Sequence, residues 1–172
     1  MCVCFIGHRS IEKTEELRAA LRATILMLIQ QGVTDFLFGD RSEFNDLSWE
    51  VVTTLKEEYP MIKRIYVRAV YSCIGEAYKK YLLQFYEETY CPSNLTNAGK
   101  CAYIKRNYEI IDNSSYCVFY YNERYTPILK QRVKSEWLNS SKRNSGTKIA
   151  YEYAIKKKKQ IINLYKPPSM LK

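Results

Sequence analysis

The chain has 172 residues, 47% of them hydrophobic, which is enough for one domain whose core stands without cross-links. Its 27 lysines and arginines against 18 acidic residues give a net charge of +9. The cations are dispersed, and the only run of four, Lys156 to Lys159, falls where a helix should end, so the charge does not by itself make nucleic acid the expected partner.

No apolar run approaches the roughly 20 residues of a membrane span, and Met1 to Ile6 lacks a charged leader segment and cleavage site. The six cysteines (Cys2, Cys4, Cys73, Cys91, Cys101, Cys117) lack the paired spacing of a zinc site. The expectation is a cytoplasmic protein with reduced thiols, no membrane contact, no metal and no cofactor.

Met1 to Gly7 is a short apolar run closed by a glycine, and predicts a first strand. Leu17, Leu21, Ile25 and Leu28 repeat at helical spacing up to the stop at Gly32. Val33 to Phe38 reads as a second strand ending at Gly39. Leu47, Val51 and Leu55 mark a helix capped near Ser42, ended by Tyr59-Pro60, and Ile62 to Val67 is a third strand. Ile74, Tyr78, Tyr81, Leu82 and Phe85 form a further helical stripe, broken by the polar stretch from Thr89 to Lys100. Ile104, Tyr108 and Ile111 predict a shorter helix, Tyr116 to Tyr121 a fourth strand, Thr147 to Lys157 the last helix and Gln160 to Leu164 a fifth strand.

Strands that are nearly continuous apolar runs, alternating with helices, predict an α/β, Rossmann-like domain: a mostly parallel sheet of about five strands with helices on both faces. The whole chain, 1–172, reads as this single domain, with a long basic insert at 122–145 and a short tail at 165–172. The insert holds six basic residues against two acidic ones, which suits a lid over an anionic ligand or, through Trp137 and Leu138, a contact in a homo-oligomer.

Ligands of parallel sheets collect outside the carboxyl ends of the strands. There the sequence places Gly7, His8 and Arg9 after the first strand, Gly39, Asp40, Arg41, Ser42 and Glu43 after the second, Arg68 after the third, and Ser145, Gly146 and Thr147 before the last helix. Glycines let backbone N–H groups approach an anion, and arginine adds a forked clamp. Ordinary alternatives stand beside these readings: His8 as a turn residue, Gly146-Thr147 as a loop glycine and cap, Glu43 as a helix-dipole partner. GxGxxG, GxxxxGK[ST], GxSxG and HExxH are all missing, which disfavours dinucleotide redox enzymes and P-loop NTPases.

Cys4-Phe5-Ile6-Gly7-His8-Arg9, the Phe38-Gly39 turn with Ser42-Glu43-Phe44 and Asp46, Tyr59-Pro60, Arg106-Asn107 before Ile110-Ile111-Asp112, and Ser145-Gly146-Thr147 with Ala150 and Ala154 together resemble the SLOG superfamily. This Rossmann-like group includes the DNA-processing protein DprA and the LOG phosphoribohydrolases. The likeness runs from about residue 1 to 164 and is closest to small bacterial and prophage members. It implies a nucleotide-derived ligand, such as an NAD- or ADP-ribose-derived signal, held at the edge just described, with Arg106, Asn107 and Asp46 joining the site.

The LOG pattern PGGxGTxxE ends in a catalytic glutamate. Here Ala150 stands at that spacing, and Glu152 lies about 200° further round an ideal helix, which argues against LOG-type hydrolysis. The leading expectation is therefore a module that senses or sequesters a phosphate-bearing nucleotide-derived molecule. The alternatives are an N-glycosidic hydrolase using Glu43 or Asp46, and a DNA-binding protein resembling DprA.

Overall fold

The computed structural model describes residues 1–39, 42–69, 76–95, 99–125 and 145–167. Six strands form one sheet: β1 (Cys2–Gly7), β2 (Asp35–Phe38), β3 (Lys63–Val67), β4 (Glu88–Tyr90), β5 (Tyr116–Tyr120) and β6 (Gln160–Asn163). Among the described residues the helices are α1 (Glu15–Gln30), α2 (Glu43–Glu58), α3 (Glu76–Leu82), α4 (Ala102–Asp112) and α5 (Gly146–Lys156). The strand order is β4-β3-β2-β1-β5-β6, with every neighbouring pair parallel, so the Rossmann-like α/β expectation holds.

The alternation of side chains along β1 divides the core in two. Val3 and Phe5 pack with Leu17, Leu21, Ile25 and Leu28 of α1 and with Phe44, Leu47 and Val51 of α2. Cys4 and Ile6 face the other way, against Ile110 and Ile111 of α4 and Ala150 and Ala154 of α5. Burial on both faces is why the strand reads as an unbroken apolar run. Thr14 caps α1 by accepting from Leu17 N at 3.1 Å, and Gly32, at φ 85°, turns the chain out of that helix in a conformation that favours glycine.

Two features add to the sequence reading. The sheet has six strands because Glu88–Tyr90, within a stretch read as helix end and loop, adds to the outer edge of β3. Its sequence is polar, and its place comes from tertiary contacts: the Arg68 N–H donates to Tyr90 O at 2.8 Å, and Lys63 Nζ lies 2.8 Å from Glu88 Oε1. The aromatic stripe at Tyr78, Tyr81 and Phe85 is exposed; of α3, only Leu82 is buried. Tyr78 stacks on Tyr81, Tyr81 meets Phe85 edge-on, and Phe85 meets Trp49 of α2 edge-on, on the surface of the domain. Ile74, Trp137, Leu138 and most of the basic insert (126–144) lie outside the described residues, as do Asp40, Arg41, Cys73 and the tail beyond residue 167.

No helix of the described residues is long and apolar enough to cross a membrane. Among the described residues, no disulfide joins Cys2, Cys4, Cys91, Cys101 or Cys117.

Candidate functional site

Strand order reverses between β1 and β5: β1 leads by α1 to β2 on one side and pairs with β5 on the other. The loops leaving the carboxyl ends of these strands part there and open a crevice. Thr147, buried on the first turn of α5, donates its hydroxyl to Gly7 O at 2.9 Å, which fixes the α5 N-terminus over the end of β1. Ser145 caps that helix, its Oγ accepting from Lys148 N at 3.1 Å. The start of α2 reaches the same loop, since Glu43 N donates to Arg9 O at 3.0 Å and Glu43 Oε2 accepts from Ile11 N at 2.8 Å.

Several residues expected to face a ligand are engaged by the fold. A Cβ on Gly7 would run into the Cβ and ring of Phe44, so this glycine lets α2 approach β1. A Cβ on Gly39 would lie 2.6 Å from Ile110 Cδ1 and 2.9 Å from Arg106 Cδ, so the second glycine turn receives α4. Ser42 is buried and caps α2, accepting from Asn45 N at 3.2 Å. Arg106 is 1% exposed, donates from Nε to Asn107 Oδ1 at 3.0 Å, and holds its guanidinium 5.8 Å from the Tyr103 ring centroid. Arg68 is half-buried at the end of β3, and its Nε is buried with no hydrogen-bond partner among the described residues.

His8 is 1% exposed and bridges the crevice. Its Nε2 accepts from Asn122 N at 2.8 Å, and its ring stacks on Tyr125 with centroids 3.9 Å apart. Burial lowers its pKa to about 4, against the opposing pull of the Asn122 carbonyl 3.1 Å from Nε2. The ring is therefore neutral near pH 7, with its proton on Nδ1, and Nδ1 is buried with no partner among the described residues.

Arg9, Asp46 and Gly146 remain open. Arg9 and Gly146 are exposed, and a Cβ on Gly146 would meet nothing within 4 Å. Asp46, exposed on the first turn of α2, has its pKa raised by partial desolvation, partly offset by Lys13. Among the described residues no three His, Cys, Asp or Glu side chains gather as a metal site.

Beside this edge the structure holds a groove of about 570 Å³ between α1 and the ends of β5 and β6. Thr14, Leu17 and Ala20 of α1 and its cap line one wall; Tyr120, Tyr125 and Tyr165 form the other with His8 and Asn122. Of the residues selected from sequence only His8 lines it. The missed signal was the placement of tyrosines at strand ends: Tyr120 closes β5, while Tyr165 follows β6 by two residues in a segment read as a tail.

No protein-family profile matches the chain, and no curated protein is significantly similar to it. Among solved structures, it is similar in fold to DNA processing protein A from Helicobacter pylori, a protein described for its single-stranded DNA binding mode. The TM-score is 0.57 at 14% identity over 98% of this chain and 67% of that one, a likeness in Rossmann-like architecture.

Proposed function

We propose that this protein binds a phosphate-bearing, nucleotide-derived ligand at the carboxyl edge of its sheet, as a sensing or sequestering module of the SLOG kind. The observation that carries the reading is the Thr147–Gly7 hydrogen bond, which holds the N-terminus of α5 against β1 at the point where strand order reverses. A helix N-terminus offers backbone donors and a positive dipole end to an anion. Gly146 leaves that turn uncovered, and Arg9, exposed two residues beyond Gly7, supplies a cation. Asp46 is the proposed partner of ribose or base, whereas Asn107 is buried and already accepts from Arg106 Nε.

Glu43 Oε2 accepts from Ile11 N, which gives this carboxylate a role in tying the loop after β1 to the start of α2, and that structural role favours binding over N-glycosidic cleavage. Calorimetry with ADP-ribose, NAD and nucleoside monophosphates tests the reading. At least one should bind, weaken about tenfold or more in Arg9→Ala, and remain intact by chromatography. Release of free base, abolished by Glu43→Gln, would replace the binding module with a hydrolase.

A second reading, single-stranded DNA, is favoured by the fold likeness to DNA processing protein A and by the net charge of +9. Its signature is an affinity for oligonucleotides that falls steeply and linearly in log–log form as salt is raised.

A further inference from the structure

We infer that the groove between α1 and the ends of β5 and β6 is a nucleoside pocket that takes a purine ring and its ribose. This deepens the nucleotide reading by assigning the uncharged half of the ligand a place of its own, apart from the phosphate at the α5 start.

The first support is the chemistry of the walls. Two aromatic pairs frame the groove: Tyr125 stacked on His8 at 3.9 Å and 11°, and Tyr165 edge-on to Tyr120 at 5.5 Å and 85°. Tyr120, Tyr125 and Tyr165 are each only half-buried, so all three keep surface to offer, and Leu17 and Ala20 close the opposite side with apolar atoms. Flat aromatic and small aliphatic walls suit the faces of a heteroaromatic ring, and a volume of about 570 Å³ admits a bicyclic base with a sugar.

The second support is an unmet hydrogen bond. With Nε2 of His8 accepting from Asn122 N–H, the proton sits on Nδ1, which is buried and has no partner among the described residues. Buried donors are almost always satisfied, so a small shift of the His8 ring that uncovers this N–H would let a ligand in the groove accept from it. Purines carry such acceptors on their ring nitrogens.

The third is charge. Glu12 and Glu16 line the groove against one cation, Lys166. Glu16 is drawn to the capped start of α1, where its own backbone N–H and Thr14 lower its pKa, which leaves Glu12 as the free carboxylate. Both carboxylates repel a phosphate, and Glu12 can accept hydrogen bonds from ribose hydroxyls. The groove thus selects the nucleoside end of a nucleotide, while Arg9 and the α5 start select the other.

The experiment uses adenosine and guanosine, which carry no phosphate, in saturation-transfer NMR against the full chain, with ADP-ribose titrated in parallel. At least one nucleoside should bind the wild type. Ala20→Phe, which fills the groove from α1, and Tyr165→Ala, which removes one wall after β6, should each weaken that binding about tenfold, within the range for one stacked base, with unchanged melting temperature. The inference is overturned if neither nucleoside binds, or if binding survives both folded variants. If ADP-ribose binds and responds to Arg9→Ala but not to Ala20→Phe, the groove falls and the phosphate site stands. If the nucleosides bind and respond to Ala20→Phe while ADP-ribose is indifferent to Arg9→Ala, the phosphate site falls and the groove stands.

Discussion

The end of β1 and the start of α5 meet across a single hydrogen bond, Thr147 Oγ1 to Gly7 O, and each carries a glycine of the kind that marks a ligand loop. Gly7 lies under Phe44, with no room for a Cβ, whereas Gly146 is exposed with nothing within 4 Å of where one would lie. The first glycine serves the packing of α2 on β1; among the described residues, nothing packs where a side chain of the second would lie. Two residues of one type in similar loops thus differ in what they are free to do, and on the proposed reading it is the uncovered glycine that faces the ligand.

The sharpest test of this contrast is Gly7→Ala. Its Cβ would collide with atoms near the Phe44 backbone, which cannot swing away as the end of a long side chain can, so α2 must shift as a body. Overpacking of this severity should cost about 3–4 kcal/mol, read as a drop in the guanidinium midpoint at unchanged slope. A loss below about 1 kcal/mol would show that β1 and α2 are loosely coupled and would remove the contrast.

His8 extends the packed side of the comparison to pH. The unfolded chain takes up a proton near the ordinary histidine value of 6.5, whereas the folded ring stays neutral down to about pH 4 because it is buried. Between those values the unfolded state binds more protons, so stability is complete above the window and is lost as pH falls through it, by about 3 kcal/mol at pH 4. Carboxylates with lowered pKa, Glu87 and Asp112 among them, also release stability in acid, so the measurement is the difference between wild type and His8→Gln. The variant should be less stable at pH 7 and should lose less on going from pH 7 to pH 4.5. Parallel curves would mean that the His8 ring is reached by solvent and is not held between Asn122 and Tyr125.

Thr147→Val keeps the shape of the joint and removes its hydrogen bond. A buried Gly7 carbonyl left without its donor should cost about 1–2 kcal/mol by denaturant unfolding. Because the same bond positions the α5 N-terminus, ligand affinity should fall with it, whereas nucleoside binding in the groove should not.

What could be read from sequence follows from how local each feature is. β1, β2 and β5 are legible because burial between two helical layers forces each to be apolar on both sides; Val3, Cys4, Phe5 and Ile6 are all buried. β4 is not legible, because Glu88, Thr89 and Tyr90 form a strand only once Arg68 and Lys63 of the β3 segment are beside them. The carboxyl edge was legible because strand–helix alternation alone brings the loops after β1 and before α5 to one side of the sheet. Which of its residues stay open was not, since Gly7 and Gly39 are claimed by contacts with α2 and α4, and Arg106 by burial on α4, that no local pattern reveals. The groove was hidden for the same reason. Tyr120, Tyr125 and Tyr165 follow from two strand ends far apart in the chain, and they come together beside α1 only in the folded domain.

The smallest expected effect on stability belongs to Gly146→Ala, and its interest lies in separating folding from binding. Gly146 begins α5, its φ is not in the left-handed region, and the added methyl group meets no atom within 4 Å. Alanine is the better helix former, but at the first helical position most of that advantage is lost, so the melting temperature should stay level or rise by the equivalent of at most about 0.5 kcal/mol. A phosphate approaching the first-turn N–H groups would meet the new methyl group directly. Affinity for a phosphate-bearing nucleotide should therefore fall about tenfold, about 1.4 kcal/mol, while free nucleoside binding in the groove is untouched. If the variant instead melts several degrees lower, Gly146 has a packing role and its contrast with Gly7 disappears. If it melts normally and binds the nucleotide as well as wild type, the α5 start is merely an exposed helix end and the phosphate must lie elsewhere.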